Sequence, residues 1–278
     1  MLLATILSLT AAVMHAGWNL VAKRADGDRY MVLWAQFFMA GVLALPFAIG
    51  NHVLFGMPGK AYLFAALSGC AHLPYLWFLA KAYNAGDFSV SYPIARGGGA
   101  AIAAIGGVVF LHDDVTPWQA IGIATIVAGL SLLAAGAAGV HLALALGAAA
   151  AIGTYSVLDG AGARASQTVA YIFATMIGGA VSNTAFGLAT GRTAEMAATL
   201  RRRWRPATVA GIAATATYGL VVVAFRYASL GYVTAMRESS VVLAALAGWK
   251  LLGEGDHRRR LAAAAAVFCG LLALVLGR

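Results

Sequence analysis

Residues 88–110 read FSVSYPIARGGGAAIAAIGGVVF, an apolar run interrupted by a proline, an arginine and three consecutive glycines. At 1.5 Å per residue, a helix of this length crosses the hydrocarbon core of a bilayer. Arginine is costly at that depth, and consecutive glycines weaken a helix. Such residues are tolerated in a membrane where the backbone lines a cavity or is buried in protein. The stretch therefore predicts a spanning helix beside an internal cavity.

The composition of the whole chain also indicates a membrane protein. Of its 278 residues, 62% are hydrophobic and only 10% are charged, whereas soluble domains carry about 25% charged residues. The formal net charge is +9, but most lysines and arginines lie beside apolar runs, as in loops that flank a membrane. We therefore expect the lipid bilayer, and not nucleic acid, to be the partner of the surface.

Ten apolar runs are long enough to span a membrane. The first has no basic residue at its start and is longer than the core of a signal peptide, so we expect it to be retained. The predicted spans are 2–22, 30–50, 61–82, 88–110, 117–138, 140–160, 168–190, 207–228, 232–252 and 260–277. The sequence thus predicts an all-α polytopic membrane protein with ten transmembrane helices.

Similar markers in the two halves of the chain predict a tandem repeat. A basic residue stands five positions before a glycine at the ends of helices 3 and 8, and an acid follows helices 4 and 9. These markers are Lys81 with Gly86, Arg226 with Gly231, Asp113 and Glu254. Because each unit holds an odd number of helices, the two enter the membrane from opposite sides. We expect residues 1–138 and 139–278 to form inverted five-helix repeats around a central cavity.

Two stretches, together with these markers, resemble those of a known family: Ser91-Tyr-Pro-Ile-Ala-Arg96 and His15-Ala-Gly-Trp-Asn19. The sequence resembles the EamA branch of the drug/metabolite transporter superfamily over nearly the whole chain. The resemblance implies a ten-helix unit that works as a monomer, with a cavity lined by helices 1, 3, 4, 6, 8 and 9. It does not name a substrate, because members export amino acids, metabolites, drugs or lipid-linked sugars.

Four ionisable side chains inside the predicted spans are candidates for substrate binding, because charges at membrane depth are costly and commonly functional. Arg96 lies eight residues beyond Phe88, about 12 Å into the bilayer. Arg237 and Glu238 are adjacent in predicted helix 9, and Asp159 lies near the end of helix 6. The alternatives are a structural ion pair and snorkelling of the side chains to the headgroups.

The proline and glycines of helix 4 suggest how Arg96 could reach a cavity. Pro93 removes a backbone donor and favours a bend, and Gly97 to Gly99 permit close approach of backbone or ligand. Our hypothesis is that the bend brings Arg96 to the cavity wall, where its guanidinium suits a carboxylate. The alternative is that the glycines only let a neighbouring helix pack tightly.

Aromatic and amide side chains complete the predicted wall. His15, Trp18 and Asn19 share a face of helix 1 by their spacing of three and four residues. The other candidates, on helices 3, 6 and 8, are His72, Tyr75, Tyr155 and Tyr218. Interhelical hydrogen bonding and placement of aromatics at the membrane interface are the alternatives.

The charges favour one class of substrate. Helix 1 lacks the glutamate with which small multidrug exporters of the same superfamily bind cations. Two intramembrane arginines instead favour an anion or zwitterion, such as an amino acid or organic acid. No metal-site or hydrolase motif occurs, so we expect neither enzyme activity nor a metal or cofactor.

We therefore predict a secondary transporter in the inner (cytoplasmic) membrane, an exporter of a small polar metabolite by alternating access. The alternatives are a flippase of a lipid-linked head group and a membrane interaction protein without transport activity. Two arguments give opposite predictions for the orientation of the chain in the membrane. Thirteen lysines and arginines fall on one side and four on the other, which places both termini outside, whereas the family resemblance implies that both are inside.

Overall fold

The structure is a computed structural model that describes residues 2–112, 116–134, 139–166, 170–224, 227 and 236–276. All regular structure in these residues is helical. The helices are α1 (Leu2–Arg24), α2 (Arg29–Phe55), α3 (Gly59–Ala85), α4 (Phe88–Leu111), α5 (Pro117–Ala134), α6 (Gly139–Ser166), α7 (Ala170–Ala189), α8 (Thr193–Ala224), α9 (Ser240–Leu252) and α10 (His257–Leu276). The predicted all-α class is confirmed.

Each predicted span coincides with a helix, and most of the bounds agree within a few residues. Helices α1, α2, α3, α4, α6 and α7 are long and apolar enough to cross a membrane. Helix α5 is shorter, α9 has only 13 described residues, and α8 and α10 begin with arginine-rich segments. The chain is thus a multi-pass membrane protein, and the number of ten crossings stays a prediction.

The outer surface agrees with a bilayer environment. Large apolar side chains point away from the protein, and Val53, Leu54 and Phe55 at the end of α2 are 72–76% exposed. Soluble monomers rarely expose contiguous apolar patches of this kind. Hydrocarbon is the solvent in which such a surface is stable.

Helix α8 differs most from the sequence-based expectation. The segment 191–206, predicted as a join, is helical from Thr193 onward and continues through Pro206. It has a buried side because Met196 is 5% exposed and Leu200 packs against the core. In the sequence the run of arginines outweighs this short apolar face, which is why the predicted join was too long.

Other predictions fall partly outside the described residues. Predicted helix 9 begins at residue 232, whereas the described helix α9 begins at Ser240, after a helical segment at 236–238 and a turn at Ser239. The repeat markers Asp113, Arg226 and Gly231 also lie outside the described part of the chain.

Small residues let the helices approach closely, as packing in membranes requires. Helix α3 packs against α6 and α7, α1 against α8, α2 against α7 and α8, α4 against α6 and α9, and α5 against α10. A Cβ atom at Gly69 of α3 would lie 2.6 Å from the Cα of Gly178 in α7. A Cβ at Gly270 of α10 would lie 2.7 Å from the carbonyl oxygen of Gly122 in α5. No side chain fits at these crossings.

Candidate functional site

Helix α4 is continuous from Phe88 to Leu111 with Pro93 inside it, so the predicted weak point does not interrupt the helix. The glycines serve packing. A Cβ at Gly97 would lie 2.6 Å from Val267 of α10, and one at Gly99 would lie 2.6 Å from the Cβ of Ile152 in α6. The three glycines thus let two helices pack against α4, which is the alternative stated from the sequence.

The side chain of Arg96, 6% exposed, forms an ion pair with Glu238, which is 2% exposed. Its Nε donates to Glu238 Oε2 at 3.2 Å, and a terminal nitrogen donates to Oε1. Two parallel hydrogen bonds of this kind give strong and directional pairing. The pair joins α4 to the segment that precedes α9, so the guanidinium is already engaged by the protein.

A second guanidinium binds the same carboxylate. A terminal nitrogen of Arg237 donates to Glu238 Oε1 at 2.8 Å, and this side chain is 23% exposed. Two cations around one anion leave a net charge of about +1 in this cluster. We call Arg96, Arg237 and Glu238 the charged cluster; its net charge favours an anion nearby.

A cavity of about 80 Å³ lies between α1, α2, α3, α6, α7 and α8. On this measure it has room for several water molecules. Six of the eleven predicted site residues line it: His15, Trp18, His72, Tyr75, Tyr155 and Tyr218. Both halves of the chain contribute to this central cavity.

Aromatic contacts fix the wall of the central cavity. The rings of His72 and Tyr155 stack with their centroids 4.3 Å apart, and Tyr75 meets Tyr155 edge-on at 5.7 Å. His72 Nδ1 lies 2.7 Å from the carbonyl oxygen of Ser68, which holds the imidazole in place. These contacts join α3 to α6 across the predicted boundary between the halves.

Two predicted site residues are held in contacts between helices. The Asn19 amide donates to the carbonyl oxygen of His15 at 2.9 Å, and its Oδ1 accepts from Tyr83 at 2.8 Å. Asp159 Oδ1 accepts from the Tyr171 hydroxyl at 2.9 Å. Neither lines the central cavity.

Tyr92 connects the charged cluster to the cavity wall. It stands one turn before Arg96 on α4, and its hydroxyl donates to Ser240 Oγ at 3.1 Å. Its ring centroid lies 6.3 Å from that of His15, a cavity residue. Three of the four predicted charges, those of the charged cluster, therefore lie close to the cavity wall.

Residues 140–276 match the EamA-like transporter family. The chain carries an EamA-like transporter domain. This match confirms the family resemblance over residues 140–276. No curated protein sequence matches the chain. A crystal structure of another protein has the same fold, with 17% identity, a TM-score of 0.63, and coverage of 98% of this chain and 96% of that one.

The EamA-like domain shares the central cavity with the first half of the chain. It provides the lining from α6, α7 and α8, while α1, α2 and α3 provide the rest. The predicted second repeat, 139–278, has nearly the same bounds as the matched domain. No comparison tests the division into repeats 1–138 and 139–278, which stays a prediction.

A second cavity, of about 330 Å³, lies between the C-terminal end of α1, the N-terminal part of α2 and the middle of α8. We call it the vestibule. Arg24, Asp26 and Arg203 stand around it, and Trp18 and Gln36 line both the vestibule and the central cavity. Gln36 was missed from the sequence, although it is an amide inside the predicted span 30–50. The signal that could have found it is the polar amide itself, because polar side chains inside a membrane span are costly and commonly functional.

Proposed function

We propose that the chain is a secondary transporter of the cytoplasmic membrane that exports a small anionic or zwitterionic metabolite. The observation that carries this proposal is the central cavity, which α1 to α3 and α6 to α8 enclose together. A site between two halves is the place that opens to either side when one half rocks against the other. The two halves would thus alternate access to a single site.

The pattern of helix packing supports an inverted repeat. Exchanging α1–α5 with α6–α10 converts the contact α3–α6 into α8–α1, α3–α7 into α8–α2, and α4–α5 into α9–α10, and all of these pairs pack. The contacts α2–α7, α4–α9 and α5–α10 map onto themselves and are also present. A two-fold relation between the halves predicts this pattern, and we propose that each half contributes five spans.

The charges support the substrate class. The charged cluster holds two guanidiniums and one carboxylate beside the cavity, and at the vestibule Arg24 and Arg203 outnumber the one carboxylate, Asp26. Positive charge along a path attracts anions and repels cations. The net positive charge therefore favours amino acids and organic acids over lipophilic cations as substrates.

Counterflow in proteoliposomes tests the proposal. Vesicles preloaded with an unlabelled amino acid or organic acid should accumulate the labelled form when they contain the full chain. Ala214 lines the central cavity, whereas Ala216, two residues further along α8, is exposed on its outer side. Ala214→Phe should abolish counterflow because the ring fills the cavity, and Ala216→Phe should leave it unchanged.

Two outcomes would contradict the proposal. Wild-type protein that moves no solute of either class, under any gradient, would favour a membrane interaction protein without transport. Equal counterflow by Ala214→Phe and wild type would show that the central cavity is not on the path. Size-exclusion profiles and melting temperatures of both variants serve as folding controls.

A further inference from the structure

The vestibule and the central cavity adjoin, and their lining residues mark a candidate path between them, because α1 and α2 give the same order of residues. On α1, Arg24 lines the vestibule, Trp18 lines both cavities, and His15 lines only the central cavity. On the antiparallel helix α2, the corresponding order is Val32, Gln36 and Ala40. Trp18 and Gln36 line both cavities, and we call these two residues the neck.

Helix α8 runs along the same path. Ala207 and Ala210 line the vestibule, and Ala214 lines the central cavity one turn later. From Arg24 to His15 the path follows α1 for about 14 Å, at 1.5 Å per residue. A solute that enters at the vestibule therefore passes Trp18 and Gln36 before it reaches the central cavity.

The neck carries buried donors without acceptors. Trp18 is 8% exposed and Gln36 is 3% exposed. Among the described residues, the indole nitrogen of Trp18, the amide nitrogen of Gln36 and Nε2 of His15 are buried and have no hydrogen-bond partner. Buried polar groups in proteins nearly always have a partner. Two donors on residues that line both cavities, with a third nitrogen on the next turn, are therefore free to bind a solute or a water molecule.

We propose that the neck binds a small carboxylate, whose oxygens accept hydrogen bonds from Trp18 Nε1 and Gln36 Nε2. This inference rests on the proposed function and specifies its substrate class. Indole N–H is a donor only, and an ionised carboxylate is an acceptor only, so the two are complementary. At the vestibule Arg24 and Arg203 outnumber the one carboxylate, Asp26, and the charged cluster beside the central cavity also has a net positive charge, so both favour a negative charge on the solute.

Thermal stability of the purified full chain tests binding without requiring transport. The probes are acetate, glycine and succinate, each compared with the amide that lacks its carboxylate groups: acetamide, glycinamide and succinamide. A ligand of the folded state raises the melting temperature by mass action. We expect at least one carboxylate to raise it and its amide to have a smaller effect.

Variants of the neck decide where the carboxylate binds. Trp18→Phe and Gln36→Met keep the bulk of each side chain and remove its donor. Each should weaken the apparent affinity at least about tenfold, as expected for a lost hydrogen bond to a charged group. Trp204→Phe is the matched control, because Trp204 is 53% exposed on α8 and lines neither cavity. If Trp18→Phe does not fold, Gln36→Met carries the test.

The outcomes separate this inference from the proposed function. The neck proposal is overturned if no carboxylate stabilises the wild-type protein, or if both neck variants bind as the wild type does. Counterflow by the wild type together with unchanged binding in the variants would leave transport in place and remove only the neck. Binding that depends on the neck donors, without any counterflow, would support the neck and refute transport.

Discussion

Glu254, in the turn after α9, caps the amino end of α4. Its Oε1 accepts from the Phe88 N–H at 2.6 Å, and its Oε2 accepts from the Ser89 N–H at 2.9 Å. Arg260 of α10 donates to Ser89 Oγ at 2.8 Å and to Asp87 Oδ2 at 2.5 Å. A carboxylate satisfies free N–H groups at a helix start and complements the helix dipole. The contact ties the matched domain to the first half of the chain.

Removal of this cap should lower stability. Glu254→Ala leaves two backbone donors of α4 without acceptors, and we expect a loss of about 1–2 kcal/mol in the free energy of unfolding. Glu254→Gln keeps one acceptor oxygen and should lose less. Glu195→Gln is the control, because Glu195 is 57% exposed in a surface pair with Arg192 and such pairs contribute about 0–1 kcal/mol. Equal melting temperatures for Glu254→Ala and wild type would refute the cap's contribution.

The charged cluster should respond unequally to loss of its two buried partners. Breaking a buried ion pair typically costs about 3–5 kcal/mol, because one charge stays unpaired. Arg96→Met leaves Glu238 paired with Arg237, whereas Glu238→Gln leaves two guanidiniums without a carboxylate. We therefore expect Glu238→Gln to lower the melting temperature more than Arg96→Met.

The double variant provides the control for that comparison. Residues in direct contact show coupling, so the double variant Arg96→Met with Glu238→Gln should lose less than the sum of the single losses. Melting temperatures of the four proteins in one detergent measure this coupling. Additive losses would mean that the two side chains act independently.

The helix positions were predictable because a span needs a long apolar run and this chain consists mostly of such runs. The start of α8 was not, because four arginines in 201–205 outweighed the two apolar residues Met196 and Leu200. Those residues become buried only because other helices are beside them, and sequence spacing does not show which neighbours are present.

The candidate site was predictable as a set of residue types and not as a set of contacts. His15 and Trp18 line the central cavity, but the adjacent Asn19 bonds to Tyr83 of α3. Adjacent positions on a helix point in directions about 100° apart, so Trp18 and Asn19 meet different neighbours. The partner of Arg96 stands 142 residues away, and no local pattern identifies it.

Asp28 caps α2 and also pairs with Arg192, and substitutions separate the two roles. Its Oδ1 accepts from Tyr30 N at 2.8 Å and Met31 N at 3.4 Å, while Oδ2 accepts from Arg192. Asp28→Asn keeps the cap and removes the charge, so it should lose less than about 1 kcal/mol, and the loss should shrink in high salt. Asp28→Ala should lose about 1 kcal/mol more at any salt concentration. Equal losses for the two variants, or a difference between them that disappears in high salt, would contradict this division.

Two glycines should respond in opposite ways to a methyl group. At Gly99 an added Cβ would lie 2.6 Å from the Cβ of Ile152 and 3.3 Å from the carbonyl oxygen of Ala149, neither of which is a flexible chain end. We expect Gly99→Ala to lose about 1–3 kcal/mol through overpacking of α4 against α6. Gly17 in α1 has no atom within 4 Å of such a Cβ, so Gly17→Ala should gain about 0.5–1 kcal/mol from the lower backbone entropy of the unfolded chain.

A second substitution tests the physical reason for the Gly99 effect. Ile152→Ala removes the atoms that the new methyl group would meet, so the variant Gly99→Ala with Ile152→Ala should melt higher than the sum of the single losses predicts. The measurement is the melting temperature of each variant, with Gly17→Ala as the matched helical control. If Gly99→Ala and Gly17→Ala raise the melting temperature alike, α4 and α6 are not in the close contact that places Arg96 beside the cavity.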